Sequence, residues 1–291
     1  MFKGSFVALI TPFRNGKVDE TAFQEHVAWQ LGQGTHGLVP IGTTGECPAL
    51  EDHEQERLIA LAVEVAKGRA PVIPGTGFNS TAHTIHATKA AKKAGADAAL
   101  VVCPYYNKPT QEGLYQHFKA VHDATDMPIV IYNIPGRTAV DMSNATLARL
   151  AKLPNIIGVK DSTNDLSRVT KLRIEVGDEF SMLSGEDGTA VGFLAQSGDG
   201  CISVTANIAP ALLSEMHTAW QKGDAATVRS INERLMPLHE ALFVETSPAP
   251  VKYAASLLGR CTPEVRLPLC ETTPATQEKV LGAMRGAGLL N

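Results

Sequence analysis

Ile156-Ile157-Gly158-Val159-Lys160 reads as a strand that is apolar to its end and then stops on a lysine. A short apolar run without alternation is the pattern of a strand buried on both faces. Comparable runs stand at 6–10, 37–41, 71–74, 98–102, 128–132, 180–183 and 201–204, which makes eight candidate strands. Segments with helical spacing separate them, such as 51–67, 81–94, 111–124 and 143–152, opened by caps such as Asn79 and Ser143 and often closed by glycine. Strict alternation of strand and helix predicts right-handed crossovers and a parallel sheet. Eight units without a ninth predict an α/β fold of the closed (β/α)8 TIM barrel class.

A doubly wound open sheet is the alternative, and it is the weaker one. No glycine-rich dinucleotide fingerprint follows the first run, and Gly75-Thr76-Gly77 lacks the third glycine and follows the third run. Beyond Asn207 only helical segments remain, at 211–221, 225–244, 249–258 and 276–286, with Pro237, Pro248, Pro250, Pro263 and Pro268 marking turns or kinks. The first of these completes the eighth unit. The expected division is a catalytic barrel over 1–224 and a small C-terminal helical domain over 225–291, packed on the barrel because no low-complexity linker parts them.

Composition narrows the function. The 291 residues are 44% hydrophobic, enough for one large core, and the net charge of -4 comes without any basic run or aromatic-basic interleaving. Nucleic acid is therefore excluded as the main partner. The cysteines Cys47, Cys103, Cys201, Cys261 and Cys270 are odd in number and form no CxxC pair, which predicts reduced thiols in a cytoplasmic protein. Neither a signal peptide nor a run of about 18 apolar residues is seen, so no membrane association is expected.

In a (β/α)8 barrel the chemistry gathers at the carboxyl ends of the strands. Those ends read Gly42-Thr43-Thr44-Gly45-Glu46, Pro104-Tyr105-Tyr106-Asn107, Tyr132-Asn133-Ile134-Pro135-Gly136-Arg137, Lys160, Ser184-Gly185-Glu186-Asp187 and Ser203-Val204-Thr205. An ammonium at the end of a buried strand must find a partner, give up its proton or do chemistry. The bland alternatives for Lys160 are a side chain that reaches solvent or one that pairs with Asp161. One amine among hydroxyls, one arginine and few carboxylates suits carbonyl chemistry through a Schiff base. Tyr132 would shuttle protons with Thr43 as relay, the Thr43-Thr44 turn would offer amide and hydroxyl donors to a carboxylate, and Arg137 would grip a second carboxylate bidentately.

Other motifs are weak. His83 and His86 share a predicted helix face but have no third partner, so a solvated face is expected and no metal. HExxH, P-loop and GxSxG patterns are missing from the sequence, and Gly198-Asp199-Gly200 precedes the eighth strand, on the wrong side for a barrel's phosphate site.

Taken together, Gly42 to Glu46, Tyr105-Tyr106-Asn107-Lys108-Pro109-Thr110-Gln111-Glu112-Gly113-Leu114-Tyr115, Tyr132 to Thr138, Gly158-Val159-Lys160-Asp161, Leu183 to Asp187 and Ile202-Ser203-Val204-Thr205-Ala206-Asn207 closely resemble the dihydrodipicolinate synthase family, within the N-acetylneuraminate lyase group of class I aldolases. The resemblance runs the whole chain. It implies condensation of pyruvate with L-aspartate 4-semialdehyde to 4-hydroxytetrahydrodipicolinate, with a covalent imine on Lys160 and no separate cofactor. It further implies Tyr132, Thr43 and Tyr106 as a proton relay, Thr44 on the pyruvate carboxylate, Arg137 on the aldehyde's carboxylate, and Gly185 and Ile202 lining the site through their backbones. In the family Tyr106 reaches the neighbouring subunit's site, so a homotetramer built as a dimer of dimers is implied.

The family's lysine feedback site is matched in part. Asn79 and Tyr105 stand where expected, but Gln55 replaces a histidine or lysine often found in sensitive relatives, and His83 replaces a glutamate that pairs with the effector's amino group. Inhibition by lysine is expected to be weak, with half-maximal effect above about 1 mM, an affinity scale near 4 kcal/mol. The rival readings are a pyruvate-dependent aldolase or dehydratase acting on a sugar acid, and a barrel that binds a keto acid without turnover.

Overall fold

The computed structural model describes residues 1–290 and divides into two compact units, one of Met1–Lys3 with Pro71–Ile202, the other of Gly4–Ala70 with the residues from Ser203 onward. In the second of these, strand β1 (Gly4–Ala8) runs parallel to β2 (Gly37–Val39), with Phe6 beside Gly37 and Ala8 beside Val39. The helix Glu20–Gly32 makes the crossover, and Asp19 caps it by accepting from the Ala22 amide. Ahead of that helix a small hairpin, Phe13–Arg14 with Lys17–Val18, turns at Asn15 and Gly16, both at positive φ, which is the chemistry of a tight hairpin turn.

In the other unit β3 (Ala99–Val102), β4 (Ile129–Asn133), β5 (Ile156–Asp161), β6 (Ser181–Ser184) and β7 (Gly200–Ser203) pair in chain order, every pair parallel. Between them run the helices Gln111–Thr125, Asn144–Leu150, Ser167–Val176 and Ala190–Ala195. Register places Tyr132 beside Lys160 and Lys160 beside Leu183. The strands are covered on both faces, since Ile129, Val130, Ile131 and Val159 are all buried. That is why their sequences lack polar alternation.

Two expectations are corrected. The run at 71–74 forms no regular strand. Pro71 and Pro74 have no amide hydrogen to give a ladder, and pairing is reduced to single bridges, at Val72 and at Gly75, the latter with Leu100, whose amide donates to the Pro74 carbonyl at 2.8 Å. Gly77 just beyond serves close packing, because a Cβ there would lie 2.3 Å from the Val102 nitrogen. Asn79 is not the cap of the helix Thr81–Lys93; Ser80 takes that place, its hydroxyl accepting from the His83 amide. Ser143 caps Asn144–Leu150 as expected, and Glu51 with Glu54 forms a capping box at the start of Asp52–Ala66.

The C-terminal helices are Pro210–Gln221, Ala225–Ala241, Ala249–Leu257 and Pro274–Gly286, with Pro237 inside the second. They share one compact unit with the N-terminal segment and are tied to it by polar contacts. Arg266 forks onto Glu54 at 2.6 and 2.7 Å, and Thr262 donates to the Phe13 carbonyl at 2.7 Å. Among the described residues no helix is long and apolar enough to cross a membrane.

Candidate active site

Lys160 lies on β5 with its side chain buried, and its Nζ stands 4.0 Å from the centre of the Tyr132 ring on the adjacent strand. The two residues are register partners and face the same way, so the contact follows from the parallel pairing itself. An ammonium over an aromatic face is weakly held compared with one in an ion pair. Lys160 makes no ion pair among the described residues, and both bland readings of it fail. It does not reach solvent, and Asp161 is committed elsewhere: its carboxylate accepts from the Thr163 amide at 2.8 Å and hydroxyl at 2.6 Å, and its other oxygen lies 3.5 Å from Arg168 Nε. Burial raises the Asp161 carboxyl, while the Thr163 bonds and the Arg168 charge oppose the rise.

Gly185 follows β6 and abuts this amine. A Cβ at that position would fall 1.9 Å from Ser162 Oγ and 2.9 Å from Lys160 Cε, so only glycine leaves the lysine stem its path. The Gly185 amide donates to the Asp161 carbonyl at 2.8 Å, which fixes the chain beside Lys160. Glu186 comes next. Its carboxyl is pushed up by burial, an effect the nearby Lys160 charge opposes. Ile202 is buried on β7. Lys160, Tyr132 and Gly185 are thus brought into one cluster.

Arg137 sits on a single helical turn, Pro135–Thr138, directly after β4, and is exposed. Tyr106 is not packed into the cluster. Its side chain is 87% exposed and its backbone holds φ 71, a left-handed conformation uncommon for a tyrosine. Nearby, Asn107 Nδ2 donates to the Asn79 carbonyl at 2.9 Å, Tyr105 is half-buried, and the His83 ring stacks on Phe78 at 3.8 Å. His83 and His86 join no metal-binding arrangement; none is found among the described residues.

The threonine turn belongs to the unit of Gly4–Ala70 with the residues from Ser203 onward. After β2 the chain folds back through hydrogen bonds from the Gly45 amide to the Gly42 carbonyl at 3.0 Å and from the Glu46 amide to the Thr43 carbonyl at 3.1 Å. Thr44 is buried and Thr43 half-buried. Glu46 holds φ 56 and anchors the turn: Oε1 accepts from Lys252 Nζ at 2.8 Å, and Oε2 accepts from the Arg266 amide at 2.9 Å. Sequence reasoning assigned Glu46 and Lys252 nothing. The only local signal was a charged residue closing an otherwise uncharged turn. Gln55, also in this unit, spends its amide on the carbonyls of Cys47 at 3.3 Å and Leu50 at 3.1 Å.

Comparison with known proteins gives a consistent result. Residues 1–286 match the model of the Dihydrodipicolinate synthetase family. The chain is 64% identical over 290 residues to a 4-hydroxy-tetrahydrodipicolinate synthase from Rhodospirillum centenum, covering 100% of both. Among solved structures it matches dihydrodipicolinate synthase from Aquifex aeolicus at a TM-score of 0.97, with 44% identity over 99% of each chain. The chloride-inhibited dihydrodipicolinate synthase from Acinetobacter baumannii complexed with pyruvate also matches at 0.97, with 44% identity over 100% of each chain. The fold is accordingly α/β, of the (β/α)8 barrel class with helices in the C-terminal part.

Proposed function

The chain belongs to the dihydrodipicolinate synthetase family, and from that membership we propose how its own residues carry the family's reaction. It is a lyase that condenses pyruvate with L-aspartate 4-semialdehyde to give 4-hydroxytetrahydrodipicolinate, in lysine and diaminopimelate biosynthesis. Lys160 is the residue that forms the imine. The observation that carries this assignment is a buried amine with no ion pair, resting on Tyr132, beside a glycine that leaves room for its stem.

In this reading Nζ adds to the pyruvate carbonyl carbon, the oxygen leaves as water, and a C=N bond forms. Loss of a methyl proton gives the enamine, whose terminal carbon bonds to the aldehyde carbon. The semialdehyde's amino group then adds to the imine carbon and displaces Lys160, closing the ring. Tyr132, Thr43 and Tyr106 move the protons, Thr44 holds the pyruvate carboxylate, and Arg137 holds the semialdehyde carboxylate. Gly185 and Ile202 shape the wall. The chemistry needs no separate cofactor because the imine itself is the electron sink.

We assign the exposed Tyr106 to a neighbouring copy's site, and so read the protein as a tight dimer paired into a homotetramer, working in the cytoplasm. The residues matching the lysine feedback site are Asn79, Tyr105, Gln55 and His83. With the Gln55 amide spent on its own turn and an imidazole at position 83, we read that site as poorly suited to an ammonium.

The test is turnover of pyruvate with L-aspartate 4-semialdehyde by the purified protein, beside Lys160→Ala and a borohydride-reduced sample read by mass spectrometry. Turnover and a pyruvate adduct on Lys160, both lost in the variant, are expected. An adduct without consumption of the semialdehyde would transfer the assignment to a sugar-acid aldolase, and no adduct would leave a keto-acid-binding barrel.

A further inference from the structure

Asn133 ends β4 directly after Tyr132 and is fully buried. Alternation along the strand turns its side chain away from that of Tyr132, so it is not aimed at the reacting groups. Both ends of its amide are used on one target. Nδ2 donates to Asp141 Oδ1 at 2.8 Å, and Oδ1 accepts from the Met142 amide at 3.0 Å. One side chain thereby closes the loop that leaves β4 and returns at Asp141, and Arg137 is carried on that loop.

The closure is reinforced from three sides. Within the loop the Thr138 hydroxyl lies 2.9 Å from the carbonyl oxygens of both Ile134 and Val140. From the helix Gln111–Thr125, Gln111 Nε2 donates to the Asp141 carbonyl at 2.8 Å and Oε1 accepts from the Ser143 amide at 3.0 Å. From Ser167–Val176, Arg168 pairs with Asp141 at 2.9 Å, and its Nε lies 3.5 Å from Asp161, the residue after Lys160. A continuous polar chain, Asn133–Asp141–Arg168–Asp161, therefore joins the residues that follow Tyr132 and Lys160 and pins the base of the Arg137 loop.

We propose that Asn133 is a positioning residue for the second substrate: through Asp141 and Arg168 it fixes the loop that presents Arg137 to the semialdehyde carboxylate. This rests on the assignment of Arg137 made above. A bidentate arginine–carboxylate contact is lost by small displacements, because both bonds must form together. The imine half of the reaction, by contrast, uses Lys160 on β5 and Tyr132 on β4, and neither residue lies on the loop. Disturbing Asn133 should separate the two substrates.

The experiment uses the full-length enzyme. Asn133→Asp keeps the shape and the acceptor for the Met142 amide, but removes the donor to Asp141 and sets a second carboxylate against it. Expected are a rise of about tenfold or more in KM for L-aspartate 4-semialdehyde, KM for pyruvate and kcat within about twofold of the parent, and undiminished borohydride trapping of pyruvate on Lys160. The rise should be absent when the same change is made in Arg137→Ala, since two changes acting through one contact do not add. Asp141→Asn, which keeps an acceptor for Asn133 and weakens only the Arg168 contact, should give a smaller rise of the same kind and serves if Asn133→Asp does not fold. If Arg137→Ala raises KM for the semialdehyde but the Asn133 and Asp141 variants do not, or if their effects add to it in full, this inference is wrong and the assignment of Arg137 stands. If Arg137→Ala itself leaves that KM unchanged, both are wrong.

Discussion

Lys252 donates to Glu46 at 2.8 Å across 206 residues of sequence, and both side chains are sealed from solvent, at 0% and 1% exposure. The ammonium also stands 4.1 Å from the centre of the Phe13 ring. Burial lowers the Lys252 amine and the Glu46 charge opposes that shift. Removing one member of such a pair leaves the other charged and buried, which typically costs about 3–5 kcal/mol, whereas replacing both is far milder. Lys252→Met should therefore be markedly less stable to urea than Glu46→Gln/Lys252→Met. Equal midpoints for the single and double variants would show that the pair does not hold the threonine turn.

Gly185→Ala should damage the chemistry without unfolding the protein. The new methyl must displace Ser162 Oγ, 1.9 Å away, or the Lys160 stem, 2.9 Å away. Overpacking of this kind costs about 1–3 kcal/mol of stability, while misplacing a reacting group by about 1 Å can remove about 100-fold in rate. Steady-state kinetics and a thermal melt on the same sample would check it, and a variant with parental kcat/KM would refute it.

Lys160→Met should abolish borohydride trapping yet melt at no lower temperature than the parent. The side chain is buried beside Tyr132 without an ion pair, so an apolar chain of similar length gives up little and removes a polar group that burial disfavours. A clear drop in Tm would mean that the amine contributes to the fold.

Stability should fall as pH drops from about 6.5 toward 4. Burial pushes both His26 and His117 down to about 4, while in the unfolded chain each titrates near 6.5. Between those values the unfolded state binds protons that the folded state refuses, so unfolding gains on acidification, by about 3 kcal/mol for each histidine once pH reaches 4. Above 6.5 neither group contributes any slope. Urea midpoints at pH 7 and pH 5 test this, and His26→Gln should remove about half of the difference; a midpoint that stays constant over this range would contradict it.

Much of this was legible in the sequence, and the reasons differ by element. Runs such as 128–132 and 156–160 are readable because a strand covered on both faces is apolar along its length. Lys160 stood out for the same reason, as a charge at the end of such a run. The run at 71–74 was equally apolar yet formed no strand, because apolarity reports burial while ladder formation requires amide hydrogens that Pro71 and Pro74 lack. Asn79 and Ser80 carry equally good capping side chains, and only the backbone turn selects Ser80 over the Asn79 that the sequence suggests.

The sequence alone determined the fold class, most of the strand positions, and the placing of Lys160 and Tyr132 at the ends of neighbouring strands, because each leaves a local signature in spacing or in a residue type out of place. Only the tertiary structure decided what these groups rest on. That Asp161 turns to Arg168 and leaves Lys160 unpaired, that Asn133 closes the Arg137 loop, and that Glu46 finds Lys252 all depend on side chains meeting across long stretches of chain. Such pairs carry no periodic trace. Their partners are chosen by distance and burial once the strands have packed, when a polar group removed from water must bond to whatever the fold has placed beside it.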